Sequence, residues 1–150
     1  MIEIRRGTMN DIDILHTLMQ EQFRSHDILV EENTLITSMM ELLRRDDLGF
    51  FLIAWEEKKA LGFAAVSYAW TLEHGGKSAW LDELYVVPER RREGIGGALI
   101  DQVIRDARKE KCHAIDLEVD SDHIEAGILY ERKGFMQLSR KRWVYQDLSC

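Results

Sequence analysis

The stretch Leu84-Tyr85-Val86-Val87-Pro88-Glu89-Arg90-Arg91-Arg92-Glu93-Gly94-Ile95-Gly96-Gly97-Ala98-Leu99 decides how this chain is read. A hydrophobic strand ends at Pro88, the one proline of the sequence. A basic, glycine-bearing loop follows and runs straight into an amphipathic helix with the stripe Ile95, Leu99, Val103, Ile104 and Ala107. Such a turn is suited to holding an anion. The first amides of a helix have no internal partner and sit at the positive end of its dipole. Glycines let a phosphate reach the backbone, and Arg91 and Arg92 offer forked donors.

The glycines do not follow the P-loop pattern, because no Gly-Lys-Ser/Thr is present. They also miss the dinucleotide fingerprint, since Leu99 stands at its third glycine and hairpins precede the unit.

Outward from this stretch, the N-terminal side predicts a strand over residues 2–6 and a helix opened by Thr8 and Asp11. Ile12, Leu15, Leu18, Met19 and Phe23 form that helix's apolar face. A second helix is expected from about Asn33 to Arg45, then strands over 50–55 and 61–70, a loop over 71–78, and a strand over 79–87. On that last strand, simple alternation puts Trp80, Asp82, Leu84 and Val86 on one face and Leu81, Glu83, Tyr85 and Val87 on the other. Beyond the central helix come a strand over 114–119, a helix over 122–133 ended by Gly134, and two closing strands over 135–138 and 142–146. The order β-α-α-β-β-β-α-β-α-β-β predicts a mixed α/β sheet covered by helices on both faces.

The 150 residues, 45% apolar and 31% charged, suit one domain spanning 1–150, able to bury roughly 68–70% of its unfolded surface. The net charge of −7 disfavours a nucleic-acid partner, whose grip would need excess cations, and favours a cationic one. No apolar run reaches the ~20 residues that span a bilayer, and the charged N-terminus predicts no signal peptide, so neither a membrane nor an export route is expected. Cys112 and Cys150 have no metal spacing and no evident disulfide framework, so a reducing cytoplasm is expected. The five histidines show no ligand spacing, and no metal is expected.

Arg91-Arg92-Glu93-Gly94-Ile95-Gly96 resembles the Arg/Gln-x-x-Gly-x-Gly/Ala signature of the GNAT superfamily of N-acetyltransferases. Leu84 to Pro88 resembles that family's fourth strand. Ala126, Leu129, Tyr130 and Gly134-Phe135 resemble its second block, where a helix bearing alanine and tyrosine ends in Gly-Phe. The resemblance implies an α+β fold: a mixed, mostly antiparallel sheet of about seven strands with four helices, splayed between its fourth and fifth strands.

It further implies acetyl-CoA as cosubstrate. The diphosphate would lie on Arg91, Arg92, Glu93, Gly94, Ile95, Gly96, Gly97 and Ala98, and the pantetheine arm along Leu84, Tyr85 and Val86, with an amide near Val86 polarising the thioester carbonyl. Tyr130 would meet the CoA sulfur and protonate the leaving thiolate. His123, seven residues before Tyr130, stands where the family often has an asparagine; it either makes a similar cofactor contact or faces solvent. Trp80 occupies the register where some members carry a glutamate base. That leaves Asp82, slightly preferred because it matches an acidic position of polyamine-acetylating members, and Glu83 as candidate bases.

Aminolysis of a thioester needs a neutral amine, a place for the developing oxyanion and a proton for the departing sulfur, without a covalent enzyme intermediate. The expected activity is acetyl transfer to a primary amine of a small cationic molecule. A protein N-terminal or lysine acetyltransferase and a CoA-binding regulatory module stand as alternatives, and a homodimer is among the assemblies to expect.

Overall fold

The computed structural model describes residues 1–146 and 148, so Cys150 lies outside the described residues. The elements are β1 (Ile2–Arg6), α1 (Ile12–Ser25), α2 (Glu32–Arg44), β2 (Gly49–Glu56), β3 (Lys59–Thr71), β4 (Gly76–Val86), α3 (Ile95–Lys109), β5 (Ile115–Leu117) and α4 (Ile124–Arg132). The chain falls into two compact units, Met1–Glu118 and Val119–Cys150. No described helix is long and apolar enough to cross a membrane.

The first unit carries one sheet in the order β1-β2-β3-β4-β5, antiparallel except for the parallel pair β4–β5. The helix starts follow local chemistry. The Asp11 carboxylate accepts from the Thr8 amide at 2.8 Å and opens a short turn into α1. Glu31 caps α2 by accepting from the amides of Asn33 and Thr34 at 3.1 and 2.8 Å. These bonds hold its carboxyl below the usual range. The expected loop over 71–78 is instead a hairpin that runs on to Thr71 and resumes at Gly76, because Trp70, Thr71 and Lys77 find partners across it.

Phe50 to Ala54 is continuously buried, as a central strand covered on both faces must be. On one face, Leu15, Leu18 and Met19 of α1 with Leu35 and Met39 of α2 pack on Phe51, Ile53, Phe63, Ala65, Tyr85 and Val87. The rings of Phe51, Phe63 and Tyr85 follow one another across three strands at centroid distances of 6.4 and 6.2 Å. The helix α3 adds Ile95, Leu99, Ile100, Val103 and Ala107 to the buried set and contacts β1 to β4. Arg6 of β1 pairs with the buried Asp106 of α3 at 3.2 Å while its guanidinium lies over Phe50.

In the second unit, α4 ends at Arg132 with Lys133 as its C-cap, and Gly134 turns at φ +97°, the left-handed stop expected there. The Phe135 amide donates back to the Tyr130 carbonyl at 3.0 Å. The two closing strands are not formed: the described sheet has five strands where about seven were expected. Alternating apolar residues make a strand only against a neighbour that buries one face, and a lone hairpin is marginal in water. Trp143 is 90% exposed and Met136 84% exposed, so this segment has no such neighbour among the described residues.

Phe63 joins both ring contacts and is fully buried. Phe63→Ala is expected to cost about 3–5 kcal/mol of unfolding free energy in urea melts. A loss below about 1 kcal/mol would contradict this packing account.

Candidate active site

The strand β4 is irregular where the candidate residues cluster. Ala65 and Val66 are consecutive on β3, yet their partners on β4 are Glu83 and Leu81. Asp82 is therefore an extra residue, a β-bulge. Residues directly opposite each other share a face. Leu81 opposes Val66 and Leu84 opposes Ala64, so both lie on one face; Trp80 opposes Ser67 and Glu83 opposes Ala65, so both lie on the other. The alternation expected from the sequence is thus broken at Asp82: Trp80 joins Glu83 and Tyr85, and Leu81 joins Leu84. Asp82 itself is exposed and accepts from the Trp80 indole N–H at 3.2 Å.

The pairing of β4 with β5 covers Ala79 to Leu81 and stops. The remaining residues, 82–86, have β3 on one edge and no strand on the other among the described residues. The Val87 amide donates to the Leu61 carbonyl on β3, so by alternation Leu84 and Val86 turn their amides and carbonyls to the open edge. Side chains take both carbonyls: Gln22 Nε2 donates to Leu84 O at 3.2 Å and Arg91 Nε to Val86 O at 2.8 Å.

Glu83 lies on the α1 face beside this edge. Gln22 Nε2 donates to its Oε1 at 3.3 Å. Burial pushes the Glu83 carboxyl up to about 7, the neighbouring Asp82 charge adds to the rise, and the Gln22 bond opposes it. Tyr85 donates its hydroxyl to Glu21 at 2.9 Å, and burial together with that bond raises it to about 12, so it stays protonated. Glu21, Arg24, Ser25, Tyr85, Val87 and Arg91 line an open cleft of about 460 Å³.

After β4, a short turn at Pro88–Arg90 leads to Arg92 at φ +66° and Gly94 at φ +84°. The left-handed backbone explains the glycine at 94, whose absent Cβ would meet nothing within 4 Å. The first main-chain bond of α3 runs from Ala98 N–H to Gly94 O at 3.0 Å. Ile95, Gly96 and Gly97 therefore present the orphan amides of a helix start. Arg90 does not serve this surface. It grips Glu56 at 2.9 and 3.1 Å and Glu93 at 3.0 and 3.1 Å, tying the loop to the end of β2. Arg91 lies back along β4, with its guanidinium carbon 5.5 Å from the Tyr85 ring centre.

One pair escaped the sequence reading. His74 Nε2 lies 2.9 Å from Asp116 Oδ2. Asp116 opposes Trp80 across β5, so the pair shares the face of Glu83. No spacing announces two residues that meet only when the sheet forms.

Burial raises the Cys112 thiol, consistent with an unreactive cysteine. In the second unit, Tyr130 packs edge-on against Phe135 with ring centres 5.7 Å apart. His123 stands at the N-cap of α4, its amide donating to Asp120 O at 2.9 Å.

A folded-state carboxyl raised to about 7 weakens folding once the pH exceeds the unfolded value, and fully so above 7. Glu83→Gln is therefore expected to gain more thermal stability at pH 8.5 than at pH 5. Equal gains in calorimetry at the two pH values would contradict the burial of this carboxyl.

Comparison with known proteins gives the family and the fold. The acetyltransferase (GNAT) family profile matches residues 12–135. An uncharacterized N-acetyltransferase of Methanocaldococcus jannaschii is 30% identical over 135 residues, covering 88% of this chain; the chain spans 59% of that relative's length. An aminoglycoside N-acetyltransferase solved in complex with CoA superposes with a TM-score of 0.84 at 18% identity, over 99% of this chain and 96% of that one. A predicted acetyltransferase from Clostridium acetobutylicum, solved with acetyl-CoA, gives a TM-score of 0.82 at 20% identity, over 97% and 96% of the two chains. With its bulged, half-released fourth strand feeding a glycine turn and helix, the chain belongs to the acetyltransferase (GNAT) family.

Proposed function

We propose that the protein transfers an acetyl group from acetyl-CoA directly to a primary amine of a small cationic molecule. The observation that carries this reading is Glu83, a carboxyl raised to about 7 beside the open edge of β4. A base poised there matches the proton inventory of thioester aminolysis near neutral pH. The choice of acetyl-CoA is supported by the fold neighbours solved with CoA and acetyl-CoA.

The donor set fits the cosubstrate. The amides of Ile95, Gly96 and Gly97 hold the diphosphate at the head of α3, over the open space at Gly94, with Arg92 in the adjoining turn; Arg91 reaches the diphosphate by leaving the Val86 carbonyl. The outward amides of Leu84 and Val86 take the pantetheine arm, and that of Val86 polarises the thioester carbonyl. Glu83 accepts the ammonium proton through water, leaving a neutral amine. The nitrogen bonds to the acyl carbon and gives its second proton to water, the carbon–sulfur bond breaks, Tyr130 protonates the thiolate, and water restores the proton of Tyr130. In this reading His123 borders the cofactor arm. Asp82, exposed at the bulge, and Asp116, held by His74, draw the cationic acceptor to the face of Glu83. Burial thus makes Glu83 the base and leaves Asp82 the attracting charge.

Kinetics on a panel of diamines, amino acid amides, aminoglycosides and peptides test the assignment. Glu83→Gln is expected to lower kcat/KM on the preferred amine by about 10²–10⁴-fold and to abolish the rise in rate through pH 7. An unchanged profile would remove Glu83 from the chemistry, and preference for peptides would favour the protein-acetylating alternative.

Gly94→Glu is expected to abolish CoA binding in calorimetry by placing an anion where the diphosphate belongs. Gly94→Ala carries the same left-handed backbone cost, roughly 1–2 kcal/mol, without the charge. Equal affinity of the two variants would count against the diphosphate assignment.

A further inference from the structure

We propose that Gln22 is a positioning residue for the transfer: its side-chain amide ties the Glu83 carboxylate to the open edge of β4 and sets which carboxylate oxygen takes the proton. The inference rests on Glu83 acting as the base.

Gln22 is a polar side chain on the apolar face of α1, 8% exposed, following Leu15, Leu18 and Met19 in the buried stripe. A polar group in that position is costly unless its bonds are made. Its Nε2 reaches both Glu83 Oε1, at 3.3 Å, and Leu84 O, at 3.2 Å. A main-chain carbonyl only accepts, so the amide nitrogen, not its oxygen, must face Leu84. That fixes the orientation of the whole group. The nitrogen has two hydrogens, and the two acceptors use both.

Oε1 of Glu83 is therefore engaged by a neutral donor in either charge state, and Oε2 is left as the oxygen that gains and loses the proton. Among the described residues, no other side chain bonds to this carboxyl. Because the same nitrogen holds Leu84, the base is registered against the strand edge whose neighbouring amide, Val86, is assigned to the thioester. A change in the position of α1 would alter both bonds at once.

The charges around Glu83 are distinct from this clamp. Asp82 adjoins it on β4. Tyr85 shares its face, with its hydroxyl on Glu21 of α1 and Arg91 against its ring. Across β3 the opposing residue is the uncharged Ala65, and on β5 Asp116 is bound to His74. Gln22→Met alters none of these groups; it keeps the length of the side chain and removes the donor.

The test has two readouts. In the protein carrying ¹³C-labelled glutamate, NMR titration follows the Glu83 carboxyl, assigned by its loss in Glu83→Gln. In parallel, the pH profile of kcat/KM is measured with acetyl-CoA and the best amine of the panel. Gln22→Met is expected to raise the Glu83 midpoint by about one pH unit, the size of one hydrogen bond to a charged group, and to move the acid limb of the profile equally. Gln22→Leu, which is smaller, repeats the measurement should Met overfill the site. A midpoint and limb unmoved in both variants would overturn the positioning role while leaving the base intact. Glu83→Gln with the acid limb retained would instead overturn the base, whatever Gln22 does to the titration.

Discussion

The constraint on which the site depends is that β4 is paired on both edges for only part of its length. From Ala79 to Leu81 it has β3 on one side and β5 on the other; from Asp82 onward it has β3 alone among the described residues. The bulge at Asp82 falls at the changeover. An extra residue there increases the local twist and breaks the two-residue rhythm of the strand. One irregularity thus exposes an edge of backbone donors and brings Trp80, Glu83 and Tyr85 to the same face.

A carboxyl on that face is held at a thermodynamic disadvantage. Glu83 is partly removed from water and neighbours another acid, so its ionised form is disfavoured. The surrounding fold can bear this cost because the core beneath it is dense. Phe51, Phe63 and Tyr85 form a continuous aromatic row, and α1 and α2 close over it. Gln22 comes from the same helix that closes the core, so the packing of α1 and the placement of the carboxyl are one event.

The glycine turn is held from outside. Arg90 binds Glu56 and Glu93 together, which anchors the loop to β2 and raises its own already high basicity. The arginine run therefore divides by role: Arg90 fastens the loop, and Arg91 covers the strand end. Three neighbouring residues of one type do different work because the backbone turns between them, with Arg92 and Gly94 both left-handed.

Much of this was legible in the sequence. Apolar residues at helical spacing gave α1, α2 and α3 to within a few residues, since burial of one face dominates helix placement, and Gly134 marked the end of α4. The turn from Val86 to Gly97 was legible because its residue types have few other uses. The closing strands do not form because alternation measures a tendency to pair, and pairing needs a neighbouring strand that this segment lacks among the described residues. The facing of Asp82 and Trp80 was misread because a bulge is a property of two strands in register. The Gln22–Glu83 bond, 61 residues apart in sequence, and the His74–Asp116 pair left no local trace. Local chemistry settled which segments are helices and which form the five strands of the described sheet. Only the folded sheet decided which carboxyl leaves water and what holds it, because desolvation depends on every element packed around a group and not on its neighbours along the chain.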